Sequence, residues 1–177
     1  KSALALEGAP RYAVEYSGKQ ISKRGENVCG DSVSVVKSYD DFFYCFICDG
    51  MGSGEDAALT SRMCRVFLEK MLACGNKKST TLEMLNNLVC SKSTECFATV
   101  DLLEVDLVLG VASFIKSGAV PSYIIRDKRL YKIASGTFPI GIVPQVSAEV
   151  TEFELEDGDV ILLCSDGVAS DIEASET

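Results

Sequence analysis

Two aspartates that follow apolar runs are the residues of this sequence best placed to do chemistry. Asp49 comes directly after the run 42–48, Asp166 follows the run 160–164 after one serine, and a glycine succeeds each aspartate. Aromatic and β-branched runs of this length are typical of buried strands, so both carboxylates are expected where a strand leaves its sheet. A lone Asp-Gly pair ordinarily indicates a turn, but two pairs with one pattern favour a shared site.

A third carboxylate, Asp31, begins another predicted strand. A turn at 38–41 would fold this strand back on 42–48 as a hairpin, which places Asp31 beside Asp49. The carbonyl of Gly50 adds an oxygen that no side chain obstructs, and Mg²⁺ or Mn²⁺ requires oxygen ligands from several chain segments. Two such ions would activate a bridging water and clamp a phosphoryl group. The predicted metal ligands are Asp31, Asp49, Gly50 and Asp166, and the predicted catalytic residues are Asp31, Asp49 and Asp166, acting through that water.

The composition excludes several classes of function. The chain contains no histidine, which removes Ser-His-Asp and Cys-His catalysis, histidine-ligated zinc and an imidazole general base. A net charge of −9 and an isoelectric point near 4.6 argue against nucleic acid or anionic lipid as the main partner. An enzyme built from these residues must use carboxylates, lysine, arginine or a metal.

The eight cysteines are expected to be structural. Most lie inside apolar runs, where a free thiol behaves as a small hydrophobic group. Cys45 and Cys48 form a C-x-x-C pair, but residues i and i+3 of a strand point to opposite faces. A zinc site also needs a second pair, and Cys90 and Cys96 are too widely spaced to supply it.

The remaining pattern predicts strands, then two helices, then a long antiparallel run. Apolar residues recur at helical spacing over 55–74, with a C-terminal cap at Gly75, and 81–89 form a second helix with the capping-box pair Thr80 and Glu83. The predicted strands are 11–17, 31–36, 42–48, 97–105, 107–116, 122–126, 130–134, 148–155 and 160–164. This order predicts an α+β sandwich with helices packed on antiparallel sheet.

The length predicts one domain. A chain of 177 residues and 19.0 kDa is long enough for one core, and we expect a linker or tail at 1–10 and a single domain over 11–177. No apolar run approaches the roughly 20 residues that cross a bilayer, and no signal peptide opens the chain. The chain is therefore expected to be cytosolic or a soluble part of a longer protein.

Together these motifs resemble the PPM (protein phosphatase 2C-like) serine/threonine phosphatases, and within them the bacterial sporulation branch, the stage II sporulation protein E family. The stretch after the first strand pair reads Asp-Gly-Met-Gly, where other branches often carry histidine in place of Met51. The likeness extends from Tyr12 to Asp171. The stretches that carry it are 30–32, 49–54, 95–101, 118–121, 139–142 and 165–167.

The resemblance implies an α-β-β-α sandwich of two antiparallel sheets flanked by helices, and a phosphatase that depends on two Mn²⁺ or Mg²⁺ ions. Carried onto this sequence, it makes Asp49 the bridge between the ions and the Gly50 carbonyl a ligand of one of them. Asp166 would bind the second ion, and Asp31 would act directly or through water. Helices over 55–89 would also take part in switching activity.

The resemblance also implies a partner and a location. The substrate would be a phosphoserine on an anti-anti-sigma factor, and its dephosphorylation would activate a sporulation sigma factor. The chain would be a cytoplasmic domain of a bacterial membrane protein whose spanning segment lies outside this sequence. A homodimer is compatible with this interpretation.

The chain departs from the family pattern in two places. The family supplies another metal-binding aspartate from an Asp-Asp motif near its C-terminus and then a final strand, whereas this chain stops at Thr177 without that motif. We expect a domain truncated at its C-terminus, since the sandwich would otherwise lack its last strand. The alternative is a protein that lacks this ligand, and a chain without it would be inactive. Many members bind phosphate with an arginine shortly before the first acidic motif, and Arg24, seven residues before Asp31, is the candidate here.

Two other functions stay open on the sequence alone. A non-catalytic member of the fold would bind its partner protein without turnover, and an Asp-Asp pair encoded beyond Thr177 would argue against it. A stress-response phosphatase of the same family would act on a different sigma-regulatory protein. Neighbouring genes or an upstream membrane segment would separate that function from the sporulation one.

Overall fold

One five-stranded sheet, apolar on both faces, forms the middle layer of the protein. The computed structural model describes residues 9–22, 28–37, 41–52, 54–92, 96–146 and 149–169. The elements in chain order are β1 (Asp31–Lys37), β2 (Phe42–Gly50), α1 (Gly54–Ala73), α2 (Lys78–Cys90), β3 (Ala98–Asp106), β4 (Val111–Ser117), β5 (Ser122–Arg126), β6 (Arg129–Ile133), β7 (Glu149–Glu154) and β8 (Val160–Leu162).

The strands form two antiparallel sheets. The larger has the order β1-β2-β3-β4-β7 and the smaller the order β6-β5-β8. Successive residues of a strand face opposite sides, and β2 shows the consequence. Tyr44, Phe46 and Cys48 pack in the core under the helices, whereas Phe43 packs in the core between the two sheets. A strand buried on both faces reads as the continuous apolar run seen in the sequence.

The two helices cover one face of the larger sheet. They contribute a stripe of fully buried side chains to the first core: Cys64, Leu68 and Leu72 from α1, and Leu82 and Leu85 from α2. Gly75 adopts a φ of 77° directly after α1, which only glycine takes without strain, and its N–H bonds the carbonyl of Leu72. The predicted helix over 55–74 and its cap are confirmed.

The second core lies between the sheets. Its fully or nearly buried members are Phe43, Leu103, Val105, Ala112 and Phe114 from the larger sheet, with Ile124 and Ile133 from the smaller one. The α+β sandwich with antiparallel sheets is confirmed, as is the β1–β2 hairpin, whose strands pair from Asp31↔Asp49 to Lys37↔Phe43. No helix in the described ranges is long and apolar enough to span a membrane.

The predicted strand 11–17 is wrong, because residues 9–22 form neither helix nor strand. The alternating apolar residues of this segment nevertheless pack: Val14 contacts the core between the sheets, and the ring of Tyr16 lies 5.9 Å from that of Phe43. Most of the segment is exposed, however, and the N–H groups of Arg11 and Tyr12 bond the carbonyl of Leu107. Among the described residues no strand pairs with this segment.

The capping box predicted for the second helix is also wrong. Helix α2 begins at Lys78, and its N-cap residue Lys77 makes no side-chain capping bond, so Thr80 and Glu83 lie within the helix. Burial of Leu82 and Leu85 stabilises this helix more than a cap does, as is usual for short helices.

The strand predicted over 107–116 begins later, at Val111. The Asp106 carboxylate accepts bonds of 2.8 Å from the N–H groups of Val108 and Leu109, which makes 107–110 a turn. The other strands match their predicted positions within two residues. Most of the predicted tail 1–10, most of the turn 38–41, Arg24 and the C-terminal residues 170–177 lie outside the described residues.

Candidate active site

Asp31 and Asp49 lie directly opposite each other on the β1–β2 ladder. Opposite residues of an antiparallel pair project from the same face with their Cβ atoms about 4.5–5.5 Å apart. The two carboxylates are close enough for a side-chain hydrogen bond between them. The register therefore brings together two of the three aspartates that the sequence singled out.

Asp166 reaches the same region from the smaller sheet. With Asp49 it lines a cavity of about 220 Å³ near the ends of β2, β3 and β8. The remaining lining residues are Ile47, Thr99, Asp101, Gly118, Ala119, Val120, Cys164 and Ser165. The cavity thus joins segments that are more than 100 residues apart in the chain.

Asp49 interacts electrostatically with Asp31 and Asp166. Burial, the charge and hydrogen bond of Asp31, and the charge of Asp166 together raise the pKa of Asp49 to about 7. Burial and neighbouring like charges both disfavour the ionised form of a carboxyl group. Perturbed carboxylates in a cavity are typical of functional sites.

Gly50 is required by the packing of α1 on the end of β2. A Cβ at Gly50 would lie 2.0 Å from the carbonyl oxygen of Ala57, so no other residue fits there. The Gly50 oxygen and an oxygen of Asp49 lie equally close, 3.9 Å, to the place where a Cβ of Gly30 would be. The carbonyl predicted as a ligand is therefore a neighbour of the Asp49 carboxylate.

This donor set fits a divalent cation by its chemistry. Carboxylate and carbonyl oxygens are the ligands that Mg²⁺ and Mn²⁺ prefer, and a cation would offset the charge that raises the pKa of Asp49. Within the described ranges, however, no group of three or more histidine, cysteine, aspartate or glutamate side chains is arranged to hold a metal ion. Ligation by all three aspartates would require them to move closer together.

Asp31 also lines a second, larger groove on the side of the helices. The groove has a volume of about 650 Å³ and runs between β1 and the first half of α1, where Leu59, Arg62 and Arg65 contribute to it. Arg65 pairs with Glu69 one turn further along the helix. The groove therefore extends along α1 as far as Asp31.

The sequence analysis missed one constellation in the site. Asp101 lines the 220 Å³ cavity and forms an ion pair with Lys116, and both side chains are almost completely buried. A signal was available: Lys116 follows Phe114 and Ile115 inside an otherwise apolar run. A buried lysine requires a partner, because an unpaired buried charge is strongly unfavourable.

The cysteines behave as expected. All eight are free. Cys48 belongs to the core under the helices, while Cys45 contacts the core between the sheets, so the C-x-x-C pair points to opposite faces. Burial raises the pKa of Cys45 to about 11 and that of Cys48 as well, which keeps both thiols protonated and unreactive.

Comparison with solved structures defines the class of the fold. The PP2C phosphatase domain of the cell fate determinant SpoIIE from Bacillus subtilis, solved with a fragment of its regulatory domain, matches with a TM-score of 0.75 and 32% identity over 81% of this chain and 43% of that chain. RsbX, solved in complex with magnesium, matches with a TM-score of 0.67 and 21% identity over 80% of this chain and 68% of that chain. The chain has the fold of a PP2C-type phosphatase domain.

Sequence comparison then gives the family. The family model of stage II sporulation protein E (SpoIIE) matches residues 40–176. Stage II sporulation protein E of Bacillus subtilis (strain 168) is 31% identical over 168 residues, which are 94% of this chain and 20% of that protein. The chain belongs to the stage II sporulation protein E family, and it spans about a fifth of the length of this curated relative.

Proposed function

We propose that this chain is a protein serine/threonine phosphatase module that depends on Mn²⁺ or Mg²⁺. The observation that carries the proposal is the proximity of Asp31 and Asp166 to Asp49 at the edge of a cavity, where burial and these two neighbours raise the pKa of Asp49. The PP2C-type fold and the family membership support the same function. RsbX, of the same fold, was solved with magnesium.

The chain's own residues have distinct tasks in this proposal. Asp31, Asp49, Asp166 and the Gly50 carbonyl would hold the cations, two in the complete site. When bound, the cations would supply the positive charge that activates water and neutralises the phosphoryl oxygens. The cavity holds the phosphoryl group beside the carboxylates and away from bulk water.

The proposed reaction needs no covalent enzyme intermediate. A water oxygen forms a bond to phosphorus as the bond between phosphorus and the serine Oγ breaks. The water gives up one proton to a carboxylate, and that proton is returned to the leaving serine oxygen. Because the chain has no histidine, carboxylates are the bases available in the cavity to accept the proton of the attacking water.

The proposed substrate is a phosphoserine on an anti-anti-sigma factor, whose dephosphorylation would activate a sporulation sigma factor. Membership of the stage II sporulation protein E family supports this substrate over one from a stress-response pathway. We also propose that the chain acts in the cytoplasm as part of a membrane protein anchored by a segment outside this sequence. A homodimer remains compatible with these proposals.

Phosphate release tests the proposed activity. The complete phosphatase domain is incubated with a serine-phosphorylated anti-anti-sigma factor in Mn²⁺, Mg²⁺ or chelator, and release is expected only with a divalent cation. Asp49→Asn should lower the rate by more than the roughly 10- to 100-fold that loss of a supporting contact to a metal ligand costs, because it removes a proposed ligand itself. Asp157→Asn is the matched control, because Asp157 also precedes a glycine but is exposed and does not line the cavity. Full activity of Asp49→Asn would refute the proposal.

A non-catalytic binding module is the second candidate. It is favoured by one observation: the described residues bring no three acidic side chains into a metal-holding arrangement. A module of this kind would bind the phosphorylated partner with or without Mn²⁺ and would release no phosphate. Tight partner binding together with undetectable Mn²⁺ binding would support it over the enzyme.

A further inference from the structure

An ion pair is buried between the two sheets, next to the cavity. Asp101 of β3 and Lys116 of β4 lie opposite each other in the strand register, and each is only 2% exposed. The Lys116 Nζ lies 2.8 Å from an oxygen of Asp101. Burial of two charges is costly, so a pair in this position calls for an explanation.

Lys116 makes two hydrogen bonds in addition to its ion pair. Besides the ion pair with Asp101, its Nζ donates to the carbonyl of Val120 at 2.8 Å and to the hydroxyl of Ser122 at 2.7 Å. The Ser122 hydroxyl in turn donates to the other oxygen of Asp101. The network therefore closes on itself and ties β3, β4 and β5 to the turn 118–121.

The turn 118–121 lies along one side of the candidate active site. Gly118, Ala119 and Val120 line the same cavity as Asp49 and Asp166. The thiol of Cys164, two residues before Asp166, lies 3.7 Å from the carbonyl of Pro121. The turn thus links the buried network to the chain segment that carries Asp166.

The network is better suited to fix the positions of neighbouring groups than to stabilise the folded state. Replacing a buried ion pair by neutral groups of similar shape is often neutral or stabilising, whereas removing one partner alone is strongly destabilising. A pair that contributes little to stability can still fix one arrangement of the groups that surround it. Here those groups are the turn 118–121 and, through it, the aspartates of the cavity.

We propose that Asp101 and Lys116 are positioning residues of the active site, which hold the turn 118–121 so that Asp49 and Asp166 face the same bound group. The proposal rests on the proposed phosphatase function for its effect on turnover. Its effect on the turn itself and on cation binding is independent of turnover.

The test is the double variant Asp101→Asn/Lys116→Met in the full chain, which removes both charges and keeps the approximate shapes. We expect kcat to fall about 10- to 100-fold, the range found when supporting contacts of metal ligands are lost, with the KM for the phosphoprotein unchanged. Mn²⁺ affinity measured by calorimetry should fall in the same range. Amide hydrogen exchange at 118–120 should become faster, while the urea midpoint stays near that of the unaltered chain.

The chain offers a matched control on the same strand. Lys78 donates to Glu104 of β3 and to Ser113 of β4, which is another lysine, acid and serine network, but none of these residues lines the cavity. The variant Lys78→Met/Glu104→Gln should leave kcat, Mn²⁺ affinity and exchange at 118–120 unchanged. A loss as large as that of the Asp101/Lys116 variant would overturn the positioning role.

Other outcomes are equally decisive. Unchanged exchange at 118–120 together with unchanged Mn²⁺ affinity in the Asp101/Lys116 variant would also overturn the inference. If the unaltered chain releases no phosphate, the proposed function fails, whereas faster exchange at 118–120 still supports the positioning role. Should the double variant not fold, Ser122→Ala keeps the ion pair and removes the bridge, and faster exchange at 118–120 is again the supporting result.

Discussion

At the scale of single residues, the candidate site depends on the charge of Asp49 and on the absence of a side chain at Gly50. Asp49 shows the effect of charge, because burial and two neighbouring aspartates raise its pKa to about 7. Gly50 shows the effect of size, because α1 leaves no space for a side chain there. Adjacent residues are thus constrained by different physics, one by electrostatics and the other by packing.

Gly50→Ala should destabilise the protein and displace α1. A Cβ 2.0 Å from the Ala57 carbonyl oxygen cannot be accommodated without backbone movement, and overpacking of this kind costs about 1–3 kcal/mol. Urea denaturation measures the loss. Gly136→Ala is the control, because a Cβ there meets no atom within 4 Å, and it should change stability by less than about 0.5 kcal/mol. Equal effects of the two substitutions would contradict the packing argument.

Asp159 should contribute stability that depends on pH. Paired hydrogen bonds of 2.8 and 2.6 Å from Arg126 lower the pKa of Asp159. Because the folded state lowers this pKa, the contribution is present above the unfolded value near 4 and is lost as the pH falls through the folded value. Asp159→Asn should therefore be less stable than the unaltered chain at pH 7, and the difference should narrow towards pH 3. A difference independent of pH would refute this.

At the scale of elements, burial on one face accounts for helix α1. Leu68 is 0% exposed in the core under the helices, whereas Leu59 on the same helix is 64% exposed. The same chemical change at the two positions should therefore have very different costs.

Leu68→Ala should lower the free energy of unfolding by about 2–5 kcal/mol, because it removes buried methyl groups and leaves a cavity. Leu59→Ala should change it by less than about 0.5 kcal/mol. Chemical denaturation of both variants measures the contrast. Similar losses would mean that α1 does not pack through the Leu68 face.

At the scale of the whole molecule, the sandwich gathers negative charge at one end of its sheets. Asp31 and Asp49 come from the larger sheet and Asp166 from the segment after β8. Folding therefore holds together charges that repel, and a cation bound at this end would stabilise the folded state selectively.

Mn²⁺ should raise the melting temperature. A cation at 100 times its Kd stabilises the folded state by about 2.7 kcal/mol, which is roughly 5 to 10 °C for a domain of this size. Without metal, Asp49→Asn should have a higher melting temperature than the unaltered chain, because one repelling charge is gone. With Mn²⁺, it should lose most of the rise in melting temperature that the unaltered chain shows. Thermal melts at matched ionic strength with NaCl measure both effects. A full Mn²⁺ shift in Asp49→Asn would place the cation elsewhere.

The sequence by itself determined the local features of this protein. Apolar periodicity is a property of adjacent residues, so the helix α1, the β1–β2 hairpin and the position of Asp49 at the end of β2 could be predicted. Asp166 lies four residues beyond the end of β8. The same signal failed at 11–17, a mostly exposed segment that pairs with no strand among the described residues. Burial leaves a pattern in the sequence, whereas hydrogen-bond partners from distant segments do not.

Only the tertiary structure decided which distant groups meet. The approach of Asp166 to Asp49 and the closed network of Asp101, Lys116 and Ser122 join residues from different strands and both sheets. Sequence spacing carries no information about such contacts, because they depend on strand register and on how the two sheets stack. The aspartates at the strand ends were recognisable as candidates, while their mutual electrostatics and the buried pair beside them follow from the folded arrangement.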